Sequence, residues 1–219
     1  MALFITFEGP EGSGKSTQIK LLHADLQARQ MPVVMTREPG GTPISEMVRR
    51  IILSPEHAEM SPLTEFLLFS ASRAQLVSQF IRPHLEAGYV VLCDRYADSS
   101  LAYQGYARRL DLEALRLITR FATGGLTPDC TFYFDLDITV GLQRKQREGA
   151  PLDRLDSQAM EFHERVRRGY LEMAAQEPHR WVVIDAHGDV ADVQAQVRRH
   201  VETLLAQGRR IDFHPKEGA

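Results

Sequence analysis

The chain has 219 residues, 43% of them hydrophobic and 25% charged, with a formal net charge of −3. That length suits one α/β domain that buries most of its apolar surface, and the composition excludes disordered, collagen-like and coiled-coil classes. The acidic balance argues against a general nucleic-acid-binding protein and leaves room for a local basic site.

The first apolar, strand-like run spans 3–8 and follows no basic leader. No run reaches the apolar length that crosses a bilayer, so the expectation is a cytoplasmic protein with no membrane partner. Next comes Gly9-Pro10-Glu11-Gly12-Ser13-Gly14-Lys15-Ser16, a complete G-x4-G-K-S loop, and then a helical pattern with apolar Ile19, Leu22 and Leu26. A strand before and a helix after turn the string into a phosphate site. Glycines let the backbone wrap an anion, successive N–H groups point inward, and the helix aims its positive end at the same oxygens. Lys15 reaches the outer phosphates as a point charge and Ser16 offers a hydroxyl to Mg²⁺. The expected ATP-binding residues run from Gly9 through Lys15 and Ser16 to Thr17.

A second apolar run at 32–36 leads into Thr36-Arg37-Glu38-Pro39-Gly40-Gly41-Thr42, a tight turn that holds charge at the carboxyl end of a strand. From Leu63 to Ile81 the apolar residues spread around more than one helical face. Such a helix is either central in the core or shared with a partner chain. Further strand-like runs occur at 89–93, 131–136 and 181–185, and those around Val90 and Phe132 lack polar alternation, as parallel strands covered on both faces do. Cys93 and Cys130 lie in or beside these runs and read as buried thiols in a reducing compartment, not a disulfide or metal pair. From Gly141 to Asp156, Arg144, Lys145, Arg147 and Arg154 crowd around Gly149 and Pro151, which reads as a solvated face or a hinged lid that closes on phosphate. Val190, Val193, Val197, Val201 and Leu204 make one stripe on a final helix, before a polar tail at 208–219. Strands alternate with helices throughout, which predicts a single domain over 1–207 built on a parallel sheet.

Several segments occur in an order that narrows the reading further. They are the phosphate loop, Arg37-Glu38-Pro39-Gly40-Gly41, Phe69 with Arg73, Asp94-Arg95-Tyr96, Ser99-Ser100-Leu101-Ala102-Tyr103-Gln104-Gly105 and Leu152-Asp153-Arg154. Together they resemble thymidylate kinase along nearly the whole chain, the stretch from Asp94 to Gly105 being the most discriminating. The resemblance implies a three-layer P-loop nucleoside monophosphate kinase fold with a central five-stranded parallel sheet flanked by helices. It also implies transfer of the ATP γ-phosphoryl group to dTMP, a role in dTTP synthesis, a Mg²⁺ ion and a homodimer, here through the 63–81 helix.

By the same resemblance Arg95 holds the acceptor phosphate near the γ-phosphate, Arg37 helps at the Glu38-Pro39 turn, and Glu11 touches the acceptor sugar or its metal. Phe69 stacks on thymine, Arg73 reaches its carbonyl edge, and Ser99, Ser100 and Gln104 bond the pyrimidine side. Tyr103 lies where a ribose 2′-OH would project. Asp94 either holds Mg²⁺ through water or orients Arg95. The phosphate loop carries no arginine, so the bridging cation is expected from the lid, from Arg144, Lys145, Arg147 or Arg154, with Arg147 favoured. An extra residue near Ala150-Pro151 and a glutamate at Glu148 shift the lid register, and Asp153 and Asp156 are expected to orient its arginines or the acceptor side. The nearest alternative is a kinase for another nucleoside monophosphate or a deoxynucleoside. A GTP-dependent switch is excluded by the absence of asparagine, which its guanine-reading N-K-x-D motif requires.

Overall fold

A computed structural model of the chain describes residues 2–147, 149 and 153–207; Met1, the polar tail and the lid residues Glu148, Ala150, Pro151 and Leu152 lie outside them. Five strands form one parallel sheet: β1 (Leu3–Glu8), β2 (Val33–Arg37), β3 (Val90–Asp94), β4 (Cys130–Asp135) and β5 (Trp181–Asp185). Their spatial order is β2-β3-β1-β4-β5. Each lies within a residue or so of the apolar run that predicted it, because a fully covered strand must be apolar on both faces. β1, β3 and most of β4 are buried, whereas the edge strands expose Met35 and Val183.

The register brings the carboxyl ends of the three strands beside one another. Phe7 pairs with Asp94, and Arg37 pairs with Asp94 from the other side. β1 is flanked by β3 on one side and β4 on the other, so the chain leaves the middle of the sheet in opposite directions there. A crevice opens at this point in sheets of this kind.

Helices cover both faces. On one, α1 (Lys15–Ala28) and α9 (Val190–Ala206) pack Ile19, Leu22, Leu26, Val193, Val197 and Val201 onto Ile5, Phe7 and Phe132. On the other lie α2 (Pro43–Leu53), α3 (Pro62–Leu76), α4 (Arg82–Glu86), α5 (Ala97–Ser100), α6 (Leu112–Thr123), α7 (Ile138–Arg147) and α8 (Met160–Gln176), though α7 reaches across the strand ends. Side-chain caps start α2, α3, α6 and α9 through Thr42, Ser61, Asp111 and Asp189. By contrast α1 begins at Gly14, left-handed at φ 88°, with no side-chain cap. Its first N–H groups are left for an anion.

Two wide turns interrupt the helices. A π-helical turn, Val77–Ile81, joins α3 to α4, where Pro83 lacks the N–H to continue a regular ladder. Another, Leu101–Ala107, continues α5. The long apolar segment from 63 to 81 is therefore one interrupted helix. Phe66, Leu76, Val77 and Ile81 enter the core, while Leu63 and Leu67 remain exposed.

Candidate active site

At the carboxyl ends of β1, β2 and β3 lies a cleft of about 400 Å³, walled by the phosphate loop, the Arg37–Pro39 turn, α2, α3, the Ser99–Gln104 segment and the lid. Glu11, Gly12, Gly14, Lys15, Ser16 and Thr17 face it. Gly9, Pro10 and Ser13 form the back of the loop, where Lys15 Nζ donates to the Gly9 and Pro10 carbonyls at 3.1 and 2.7 Å and to Ser13 Oγ at 3.4 Å. Burial and the nearby Arg95 charge pull the Lys15 pKa down to about 8, against the pull of Glu11, Asp94 and Glu8. Ser16 Oγ donates to Asp94 Oδ2 at 2.6 Å, which brings these two oxygen-bearing side chains together at the mouth of the phosphate loop.

Arg95 occupies the centre of the cleft. Its backbone is left-handed at φ 67°, a conformation uncommon outside glycine. Its amide donates to the Phe7 carbonyl at 3.0 Å, which ties the turn to β1. The guanidinium bonds Glu11 at 2.6 Å and reaches Ser99 and Tyr170, each at 3.4 Å, while stacking 5.3 Å from the Tyr103 ring centre. Burial disfavours the Glu11 carboxylate, yet Arg95, Lys15 and Lys145 outweigh it and hold the pKa well below the usual range.

The opposite wall of the cleft is built from α3 and the wide turn after α5. Phe69, Ser100, Tyr103 and Gln104 line the cleft with Arg37, Glu38, Pro39 and Ser99. Arg73 lies behind them and is 1% exposed. It donates to Glu38 Oε2 at 2.8 Å, Ser100 Oγ at 2.9 Å and the Tyr96 carbonyl at 3.2 Å. Its buried Nη1 has no partner among the described residues, a donor held in reserve. Arg37 is half exposed and pairs with Glu46 at 2.7 Å.

The lid places the four expected cations differently. Arg154, expected to bridge phosphates, is buried away from the cleft: Nη1 meets Glu65 at 2.6 Å and Nε meets the Ile52 carbonyl at 2.9 Å. Arg144 spans the backs of two loops, donating to the Gly12 and Ala186 carbonyls at 3.4 and 3.3 Å. Arg147 is exposed at the end of α7 and is not part of the cleft wall. The lid cation that does line the cleft is Lys145, 2.5 Å from Asp156 and 3.7 Å from Glu11. The reason is helical phase, since neighbours along α7 point a quarter-turn or more apart and the phase is set by how α7 seats on the phosphate loop.

Two other cleft residues, Arg49 and His163, were not foreseen. Arg49 of α2 lines the cleft and donates to the Pro39 carbonyl at 2.8 Å, and His163 closes the lid side beside the expected Asp153 and Asp156. Beneath Arg95, the fully buried Glu8 accepts from Tyr96 N at 2.8 Å, Ser99 Oγ at 2.6 Å and Tyr170 Oη at 2.8 Å. Burial lifts its pKa to about 7, against the opposing pull of Arg95. Glu8, like Asp94, is a carboxylate that ends an apolar strand, and that position is the signal by which the sequence could have offered it. Arg49 carries no such cue, because a basic pair on a helix reads as solvated.

Comparison with known proteins gives concordant matches. The family model described as thymidylate kinase matches residues 7–197. The thymidylate kinase of Roseiflexus sp. (strain RS-1) is 53% identical over 97% of this chain and 99% of its own length. That of Deinococcus radiodurans is 55% identical over 89% of this chain and 94% of its own. Among solved structures, thymidylate kinase from Ehrlichia chaffeensis superposes with a TM-score of 0.75 at 34% identity, covering 92% of this chain and 98% of that one.

Proposed function

The chain belongs to the thymidylate kinase family and phosphorylates dTMP to dTDP with ATP, and on that basis we propose how its cleft divides the task. The triphosphate lies on the phosphate loop and the uncapped end of α1, where Lys15 exchanges its Gly9 and Pro10 carbonyls for phosphate oxygens. Arg95 holds the acceptor phosphate against the γ-phosphoryl group, with Arg37 and Arg49 at the outer wall. No covalent nucleophile is required, because the attacking atom is a phosphate oxygen of dTMP. Catalysis is then mostly positioning and neutralisation of charge. The observation that carries this reading is Arg95 itself, a strained, half-buried cation that bridges Glu11 of the donor loop and Ser99 and Tyr103 of the acceptor wall.

Thymine lies against Phe69, with the spare Nη1 of Arg73 and the amide of Gln104 at its polar edge. Tyr103 covers the sugar. Ser16 and Asp94 are hard oxygen donors and fit Mg²⁺, an ion that takes few protein ligands and completes its shell with water and phosphate. Held there, such an ion would supply positive charge to offset the charge that develops on the phosphates. Lys145, not Arg147, is the lid cation placed to face the phosphoryl group.

The exposed Leu63 and Leu67 of α3, beside Leu117 and Phe121 of α6, form the contact face of a homodimer. Two unpaired buried thiols suit a reducing, cytoplasmic setting, and no helix among the described residues is long and apolar enough to cross a membrane.

The test is an ADP-release assay with ATP and Mg²⁺ over dTMP, dUMP, dCMP, UMP, CMP, AMP, GMP and thymidine. Strong preference for dTMP is expected. Equal turnover on a purine nucleotide would remove the base-pocket assignment.

A further inference from the structure

Glu65 is fully buried in α3, one turn before Phe69, and does not line the cleft. Its two oxygens are used differently. Oε2 meets Arg154 Nη1 at 2.6 Å and Arg108 Nη2 at 3.2 Å. Oε1 receives Gln104 Nε2 at 2.8 Å, with only a long second contact from Arg108 Nε at 3.4 Å. Arg108 is itself held by Gln158 at 2.9 Å and by the Phe162 ring at 4.7 Å, so the acid is fixed from the lid side as well as from α3.

A carboxylate between two guanidinium groups can only accept hydrogen bonds. The amide of Gln104 must therefore turn its NH₂ toward Glu65 and its Oε1 the other way. Gln104 is a cleft residue, and its Oε1 makes no hydrogen bond among the described residues. The wall consequently offers an acceptor, and its polarity is set by a residue that touches no substrate.

We propose that Glu65 is a specificity-determining positioning residue: it locks the Gln104 carbonyl toward the base, so that the pocket accepts a pyrimidine bearing N3–H and rejects one with a lone pair at N3. Thymine has that N–H; cytosine does not. The inference rests on the placement of the base beside Gln104 proposed above. A site built to bond one polar pattern rejects the inverted pattern strongly, because a mismatch buries two like groups against each other.

The substitution Glu65→Gln reverses the device. The arginines retain the carbonyl oxygen of the new amide, whose NH₂ then faces Gln104 and turns the Gln104 NH₂ into the cleft. In steady-state assays on the full chain, the ratio of kcat/KM for dTMP to that for dCMP is expected to fall at least about 10-fold, carried by KM for dTMP. KM for ATP stays unchanged, which a merely structural loss would not leave intact. The double variant E65Q/Q104E restores an acceptor toward the base without an amide to flip, and recovers the ratio.

A folded E65Q enzyme with an unchanged ratio overturns the proposal. Q104A tells the two readings apart. If it shifts the ratio while E65Q does not, Glu65 has no role in selection; if neither shifts it, the base does not lie beside Gln104. Should E65Q fail to fold, the double variant keeps one carboxylate and one carboxamide in place, and its loss of dTMP selection would overturn the proposal alone.

Discussion

Lys15 and Glu8 are both buried charges, and each makes a prediction about protons. Lys15 is satisfied by carbonyls and a hydroxyl in place of phosphate, and its pKa falls to about 8, chiefly through burial. Near pH 8 a large share of the ligand-free protein then carries it neutral, and an arriving triphosphate favours the charged form. ATP binding at that pH should take up a fraction of a proton, seen as a dependence of calorimetric heat on the ionisation enthalpy of the buffer. No such dependence would mean that Lys15 is already fully protonated. Glu8 has the opposite linkage: its pKa rises from 4.5 to about 7 on folding, first through burial. Below pH 4.5 both states are protonated and no cost arises. As pH rises toward 7 the unfolded chain releases a proton that the folded chain keeps, so stability falls, by about 3 kcal/mol once the shift is passed. Glu8→Gln should flatten that part of the urea-measured stability profile, and identical slopes in the two proteins would count against it.

At the scale of elements, the lid is seated on the phosphate loop by close backbone approach. A methyl group on Gly141 of α7 would overlap the Glu11 carbonyl oxygen, and one on Gly12 would overlap the Gly141 carbonyl. Gly12 is also left-handed at φ 69°, which adds strain to any side chain there. The approach of α7 is what sets the phase that turns Lys145, and not Arg147, to the cleft. Gly141→Ala should therefore lift α7 and lower kcat about 10²-fold or more, with a much smaller effect on the thermal midpoint, since α7 makes few other contacts. An active Ala variant would show that the lid closes by another route. The far end of the lid is anchored separately, because Arg154 reaches the Ile52 carbonyl and Glu65. One end of the lid thus answers to the donor loop and the other to the acceptor wall.

For the whole molecule, the parallel sheet brings the phosphate loop, the Arg37 turn and Asp94-Arg95 to one edge, and the helices on the other face leave an apolar outer patch. Phe121 is 88% exposed and Leu117 70%, beside Leu63 and Leu67. Large apolar side chains clustered on a surface mark an association site. Phe121→Asp together with Leu67→Asp should convert a dimer to a monomer in sedimentation velocity while circular dichroism stays the same. A wild-type chain that sediments as a monomer would remove the interface.

Much of this was legible along the chain. The strands announced themselves because covered parallel strands must be apolar throughout, and the phosphate loop because its glycines, Lys15 and Ser16 act within a few residues of one another. That Asp94 and Arg95 sit at the end of a strand was legible for the same local reason, whereas the role expected of Arg95 came from the family resemblance. Which lid cation faces the cleft could not be read, since Arg144, Lys145, Arg147 and Arg154 are chemically alike; the seating of α7 against Gly12 separates the first three, and the ties to Ile52 and Glu65 turn Arg154 away. Nor could the roles of Glu8, Arg49 and Glu65, whose partners lie up to 162 residues away. Local patterning carries backbone conformation and motif chemistry; the direction of a side chain, the partner of a buried charge and the polarity of an amide come from contacts that exist only once the chain has folded.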